Sequence, residues 1–233
     1  MKLSSEKIEK TMRWIFIILT LFAVVYNFWT RSWEIFWSSV MTFLLFLLPS
    51  FFAKRNKIVI PPPFQIIITI FIFLSMYLGE IHHFFYRFTW WDRMLHSSSA
   101  IILGYIGFLL IYTLNKDSRA HVRLSPLFMA LFSFCFAMTM GVLWEVFEYG
   151  VDAILGMNMQ KARNLELFHD VFDTRLGVLD TMQDLIVDAI GAFIVSLIGY
   201  LHLKRTDSKK SRFWRMHQQF IEENPDLFES GED

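Results

Sequence analysis

The sequence predicts an all-α, polytopic transmembrane helical bundle with six spans and both termini cytoplasmic. Three observations carry that expectation. Of the 233 residues 55% are hydrophobic; the apolar residues fall in long blocks broken by short charged clusters; and Lys and Arg crowd every second connection. A helix crosses the hydrocarbon of a bilayer with roughly 20 apolar residues, the length of these blocks. Soluble and disulfide-built folds are excluded, since the lone Cys135 has no intrachain partner. The formal net charge of zero implies no whole-chain attraction to nucleic acid, and no nucleic-acid partner is expected. The expected partner is the lipid bilayer, and oligomeric state stays open.

The elements follow in chain order, with a transmembrane domain over residues 1–203. Lys2, Lys7, Lys10 and Arg13 precede the first span, residues 14–29, whose apolar core is too long for a cleaved leader and lacks a small-x-small cleavage site. The second span, 33–53, follows so closely that Thr30-Arg31-Ser32 must be a tight turn. Lys54-Arg-Asn-Lys57 ends it, and Pro61-Pro-Pro63 stiffens the entry to the third, 64–83. The fourth covers 94–114 and the fifth 126–149, with Pro126 tolerated in its first turn. A longer connection, 151–179, contains Gly156, Asn158, Asn164 and Gly177 and reads as irregular with a short helix. The sixth span is 182–203. Residues 204–233 form a cytoplasmic tail, basic and then acidic; Phe213, Trp214, Phe220 and Ile221 mark a short surface helix, and the end from Glu222 is expected to lack regular structure.

Orientation follows from charge. With the N-terminus inside, the cytoplasmic segments hold 16 of the 22 Lys and Arg residues, a positive-inside bias that points to a cell membrane. Trp29, Trp33, Trp90, Trp91 and Trp144 then lie together at the outer interface.

The same topology gathers the polar residues. Glu80, His82 and His83 end the third span, Asp92 and His96 begin the fourth, Glu145, Glu148 and Asp152 end the fifth, and Asp180, Asp184 and Asp188 begin the sixth. Spacings of three and four keep each set on one helical face. With the last span starting near Thr181, Asp188 sits roughly 10 Å inside it. An ionised group there costs roughly 2.5–3.5 kcal/mol on insertion scales, so it must face partners and not lipid. The four later helices can converge on one outward-facing pocket of carboxylates and imidazoles. Like charges so close cannot all stay ionised alone. Arg87, Arg93 and Arg175 are too few to neutralise them, which leaves shared protons or a bound cation. The candidate ligands of a divalent metal are His96, Asp92, Glu145, Glu148, Asp184, Asp188, His83 and Glu80. Such a set suits Mg, Mn, Fe or Zn alike, and Glu80-Ile-His-His83 has the Glu-x-x-His spacing of bundle metal sites.

Plainer roles stand beside this. Glu80, His82 and His83 can be solvated at a helix end, Asp92 and Asp180 can be N-terminal caps, and Asp152, His169 and Asp170 can be loop residues in water. The remaining acids and His96 can form a structural network without chemistry. Ser97-Ser-Ser99, Ala100 with Gly104, and Ala192 with Ser196 suit close helix packing.

Trp91-Asp92-Arg93-Met-Leu-His96, Trp144-Glu145-Val-Phe-Glu148 and Asp180-Thr-Met-Gln183-Asp184 with Gly191-Ala192 resemble the YjdF-like inner-membrane proteins. Those carry Asp-Arg-x-x-His, Glu-x-x-Glu and Asp-x-x-Gln-Asp motifs in the same order. The resemblance covers about residues 80–195; it implies a multi-pass membrane protein and marks these positions without naming a reaction. One departure is the short loop after His83, where the family has a longer Gly- and Tyr-rich one. The chain is more weakly similar to VanZ-like membrane proteins, with Asp188 where Asn is expected.

Three functions fit these features. One is a metal-dependent enzyme acting on a lipid or lipid-linked group, with Arg93 binding an anionic headgroup. Another is a cation- or proton-coupled carrier. The third is a non-catalytic membrane protein. The inner halves of the spans are almost purely apolar, which favours a one-sided site over a conduit.

Overall fold

The computed structural model describes residues 5–116, 124–156, 158–161, 174–204 and 219–225. Its regular structure there is helical: α1 (Ser5–Trp29), α2 (Trp33–Arg55), α3 (Pro62–Ile72) continued by a π-helix (Phe73–Ile81), the short α4 (Phe84–Arg87), α5 (Trp91–Lys116), α6 (Pro126–Leu155) and α7 (Thr174–Lys204). Six helical stretches are long and apolar enough to cross a membrane, α3 and the π-helix counting as one. The chain divides into two compact units, Met1–Trp91 with Asp207–Asp233, and Asp92–Thr206.

In the first unit the connections are closed by backbone geometry. Arg31 takes a left-handed φ of 56°, which lets Ser32 N donate to Asn27 O at 3.0 Å and Arg31 N to Phe28 O at 3.2 Å. That pair of bonds satisfies the last carbonyls of α1 and turns the chain straight into α2. Lys57, φ 55°, ends α2 the same way, with Ile58 N donating to Ala53 O at 2.9 Å. α1 starts at Ser5, ahead of the apolar run, because its first turns carry their own ion pairs: Lys10 Nζ to Glu6 at 2.6 Å and Arg13 Nε to Glu9 at 3.2 Å.

Two features of this unit depart from the sequence reading. The third span does not stay α-helical; from Phe73 it widens to a π-helix, and His82 N donates five residues back to Tyr77 O at 3.2 Å. His83 then breaks the helix with φ 58° and stands at the start of α4. The α-helical spacing that would put Glu80 and His83 on one face is therefore lost. The acidic end also begins with order: residues 219–223 are helical, and the buried Asn224 grips Val59. Its Oδ1 accepts from Val59 N at 2.6 Å and its Nδ2 donates to Val59 O at 2.8 Å. An amide side chain matches the donor and acceptor of a backbone unit that no helix satisfies. Phe213 and Trp214 lie outside the described residues.

The second unit is α5, α6 and α7. Its centre is a seam of small residues, with Ala100, Ala137 and Ala192 buried together. Ser133 Oγ donates to Gly104 O at 2.6 Å, and Ser196 Oγ to Ser133 Oγ at 3.2 Å. Such interhelical bonds average about 0.6 kcal/mol each in a bilayer; small side chains let the helix backbones approach. Facing outward are Val142, Leu143, Val146 and Phe147 of α6 and Ile186, Ile190, Phe193 and Ile194 of α7. Facing inward are Glu145, Glu148, Asp184 and Asp188, all buried. Apolar outside and ionisable inside is the reverse of a soluble bundle, and it is the arrangement a lipid solvent imposes.

α7 begins at Thr174 and α6 runs to Leu155, so both helices extend beyond the expected spans of 182–203 and 126–149. A helix satisfies its own backbone bonds and can continue past the hydrocarbon. Asp180 accordingly lies inside α7 and is no cap.

At Gly191 a Cβ would run into backbone, meeting Ser97 O of α5 at 2.6 Å. At Gly150 a Cβ would meet nothing within 4 Å. Gly191→Ala should lower the thermal midpoint in detergent, by the equivalent of about 1–3 kcal/mol. Gly150→Ala should leave it unchanged or raise it slightly. Equal midpoints for the two variants would show that α5 and α7 do not meet there.

Candidate functional site

Each helix of the second unit delivers its polar residues by spacing alone. Asp92 and His96 are one turn apart on α5, Glu145 and Glu148 on α6, and Asp180, Asp184 and Asp188 lie along one face of α7. His96 is where they meet. Its Nε2 stands 3.9 Å from Asp92 Oδ1, 3.9 Å from Glu145 Oε1 and 4.0 Å from Asp184 Oδ2. Its Nδ1 is 3.5 Å from Asp188 Oδ2. Three helices thus surround one imidazole with four carboxylates. His96, Glu145, Asp184 and Asp188 are at most 7% exposed.

The spacing around Nε2 is informative. Distances near 4 Å are too long for hydrogen bonds, so three carboxylate oxygens ring that nitrogen without bonding it. One potential ligand atom from each of His96, Glu145 and Asp184 lies within 4.8 Å of the other two. Ligands about 2.0–2.2 Å from one tetrahedral ion stand roughly 3.3–3.6 Å apart, so the set would have to draw in by about half an ångström or more to hold one. Glu145 Oε1 is buried with no hydrogen-bond partner, as is Asp188 Oδ1. Orphaned buried acceptors cost about 1–3 kcal/mol each, more when charged, and a cation bound beside them would offset that cost.

The backbone gives way to the acids. A Cβ at Gly141, one turn before Glu145, would lie 2.5 Å from Asp188 Oδ2, so a larger residue there would push that carboxylate from its place between α6 and α7. Glu148 is held by its own helix: its Oε1 accepts from Trp144 Nε1 at 2.8 Å.

The chain supplies a cation of its own at the rim. Lys161 Nζ donates to Asp92 Oδ2 at 2.5 Å and to Met159 O at 2.7 Å, and lies 3.8 Å from Asp180 Oδ2. Burial by itself would lower the pKa of this ammonium; the carboxylates of Asp92, Asp180 and Glu148 outweigh that and raise it above its ordinary value. Lys161 therefore stays charged. The segment that carries it is pinned by Asp152, whose two oxygens accept from Met159 N at 2.7 Å and Gln160 N at 2.9 Å. Gln160 Nε2 donates to Thr181 Oγ1 at 3.0 Å. Asp152, which the sequence allows to be a solvated loop residue, is the anchor of this segment.

Of the expected site residues, Asp92, His96, Glu145, Asp184 and Asp188 lie in this cluster, with Glu148 beside it. Glu80 and His83 belong to the first unit, where Glu80 is half-buried and His83 exposed. Arg93 and Arg175 are exposed. Ser98 and Ser99 donate back to the carbonyls of Met94 and His96, at 2.7 and 2.8 Å. His169 and Asp170 lie outside the described residues. Lys161 is the residue that sequence reasoning missed. Its one available signal was a lysine on the side of the membrane that the positive-inside pattern depletes.

A family described as "Predicted membrane protein (DUF2238)" matches residues 11–205. An uncharacterized protein of Thermotoga maritima is 26% identical over 152 residues, covering 65% of this chain and 69% of that protein. No solved structure matches the chain.

The Lys161–Asp92 pair is partly exposed, which weakens it by screening. A double-mutant cycle of Lys161→Met and Asp92→Asn, read by unfolding in mixed micelles with chelator present, should give a coupling on the order of 1 kcal/mol. Strict additivity would mean that the contact does not exist.

Proposed function

The chain belongs to the DUF2238 family of predicted membrane proteins, and we propose that it is a divalent-metal-dependent enzyme of the cell membrane acting on a lipid or lipid-linked substrate at the outer leaflet. The observation that carries this reading is His96 Nε2 ringed by Asp92, Glu145 and Asp184 near 4 Å, with Glu145 Oε1 buried and unbonded.

In this reading His96, Glu145 and Asp184 hold the ion. Asp188 accepts from His96 Nδ1, which leaves Nε2 free to be a ligand; a carboxylate behind a ligating imidazole fixes its tautomer and ring angle. When bound, a divalent ion supplies Lewis acidity, polarising a substrate oxygen and lowering the pKa of water. Glu148, one turn beyond Glu145 and steadied by the Trp144 indole, is the carboxyl group placed to carry a proton. Arg93, exposed two positions into α5, is suited to an anionic headgroup beside the mouth and not to the buried centre.

A one-sided site favours an enzyme over a carrier. Residues 97–115, 124–144 and 189–201 contain no Asp, Glu, His, Lys or Arg, so the second unit has no charged relay beyond Asp188. A coupled carrier places ion-binding groups along its path. The Lys and Arg distribution supports termini inside and the acid cluster outside.

Detergent-purified protein reconstituted with Mn²⁺ or Zn²⁺ and desalted should retain about one ion per chain, and His96→Gln and Asp184→Asn should lose at least about nine-tenths of it. Arg93→Ala should retain the ion. Negligible metal in the parent protein, under conditions where it elutes as a single species, would overturn the reading. Orientation has its own check. In a Cys135→Ser background, a membrane-impermeant maleimide on intact cells should label Ser32→Cys and spare Asn56→Cys. The reverse pattern would place the cluster on the cytoplasmic side.

A further inference from the structure

The His96–Glu145–Asp184 group does not stand alone. Oxygens of Asp92, Asp180 and Asp184 also lie within 4.8 Å of one another, and Asp184 belongs to both groups. A carboxylate with two oxygens can serve two neighbouring cations, and paired metal sites place them about 3.5–4 Å apart. In this structure the second group is met from within the chain, by Lys161 Nζ at 2.5 Å from Asp92 Oδ2 and 3.8 Å from Asp180 Oδ2.

We propose that Lys161 sets the nuclearity of the centre: its ammonium occupies the second of two adjoining cation positions, so that the native protein takes one divalent ion and loses that restriction when the lysine is removed. This rests on the metal reading of the preceding subsection.

Three observations carry it. The first is placement. Lys161 directs its ammonium at two carboxylates and a carbonyl, hydrogen-bonding Asp92 Oδ2 and Met159 O (2.7 Å) and standing at ion-pair distance, 3.8 Å, from Asp180 Oδ2. A second is the effort made to hold it there. Lys161 has a left-handed φ of 49°, a conformation that non-glycine residues avoid. Met159 N and Gln160 N are both tied to Asp152, and Gln160 is tied to Thr181. The third is charge. Among the described residues, Asp92, Glu145, Glu148, Asp180, Asp184 and Asp188 gather around the imidazole of His96 and the ammonium of Lys161, and one divalent ion beside the lysine leaves fewer acids to be neutralised by protons. Among the described residues no other lysine or arginine stands at ion-pair distance from Asp92 or Asp180, and a second divalent ion is the species that fits two carboxylates plus a shared third.

The consequence is chemical as well as structural. With an ammonium as the second cation, the centre offers one Lewis-acidic position beside a fixed monovalent charge. It is not a two-metal clamp, and a substrate oxygen has a single site at which to bind. Lys161 is in this sense a specificity-determining residue and not a metal ligand.

The test uses the full chain in detergent, saturated with Mn²⁺, desalted, and read by elemental analysis and electron paramagnetic resonance. The parent protein and Lys161→Arg should each hold about one Mn²⁺ with the six-line spectrum of an isolated ion. Lys161→Met should hold about two, with the broadened spectrum of a spin-coupled pair. Lys161→Gln, polar and of similar length, gives the same measurement should the Met variant fail to fold. A single isolated Mn²⁺ in both lysine-removed variants would overturn the inference while leaving the metal centre standing. A parent protein that already holds a coupled pair would overturn it too. A parent protein with none would remove the metal reading itself, and this inference with it.

Discussion

An ionisable group placed among lipid-facing helices must find polar company inside the protein, because hydrocarbon offers none. In this chain the requirement is concentrated on His96. Its ring is buried, and the carboxylates that approach it come from α5, α6 and α7, so no one helix can satisfy it alone. The second unit is built to allow that meeting. Alanine, serine and glycine bring the three helices close, and Gly141 leaves the gap into which Asp188 projects. Packing and electrostatics here are one constraint: larger residues along the seam would separate the helices and leave each acid unaccompanied.

Company is not the same as neutrality. The imidazole makes one long hydrogen bond, to Asp188, while its other nitrogen faces three oxygens it does not bond. Lys161 offsets part of the negative charge at the rim, where Asp92 and Asp180 are only partly covered. Deeper in, no lysine or arginine among the described residues reaches the Glu145–Asp184 side at ion-pair distance, and Glu145 Oε1 has no donor. A cation at Nε2 would resolve both the unbonded oxygen and the unused nitrogen, and the proposed metal site rests on that pairing.

The helical architecture was open to sequence reading because lipid leaves a coarse imprint: six apolar stretches, and charged residues gathered at their ends. Helical periodicity was also enough to put Asp184 with Asp188, and Glu145 with Glu148, on shared faces. What periodicity cannot supply is which faces meet. Glu80 and His83 illustrate the limit. Their spacing suits an α-helix, yet the backbone there is a π-helix that ends at a left-handed His83, a local choice with no strong residue signature. Lys161 illustrates another. It sits in an irregular connection, and its partners Asp92 and Asp180 are 69 residues before it and 19 after, so no local pattern joins them. Asp152 was read as a solvated acid for the same reason: a side chain that caps backbone N–H groups seven and eight residues away leaves no periodic trace.

A metal at this centre would be bound through a nitrogen of His96. Pulsed electron paramagnetic resonance on Mn²⁺-loaded protein, with histidine labelled by ¹⁵N, reads that contact directly. The account predicts the coupling of one directly bound imidazole nitrogen, present in the parent protein and absent in His96→Gln. A bound Mn²⁺ whose shell shows oxygen alone, or a nitrogen signal that survives His96→Gln, would contradict it.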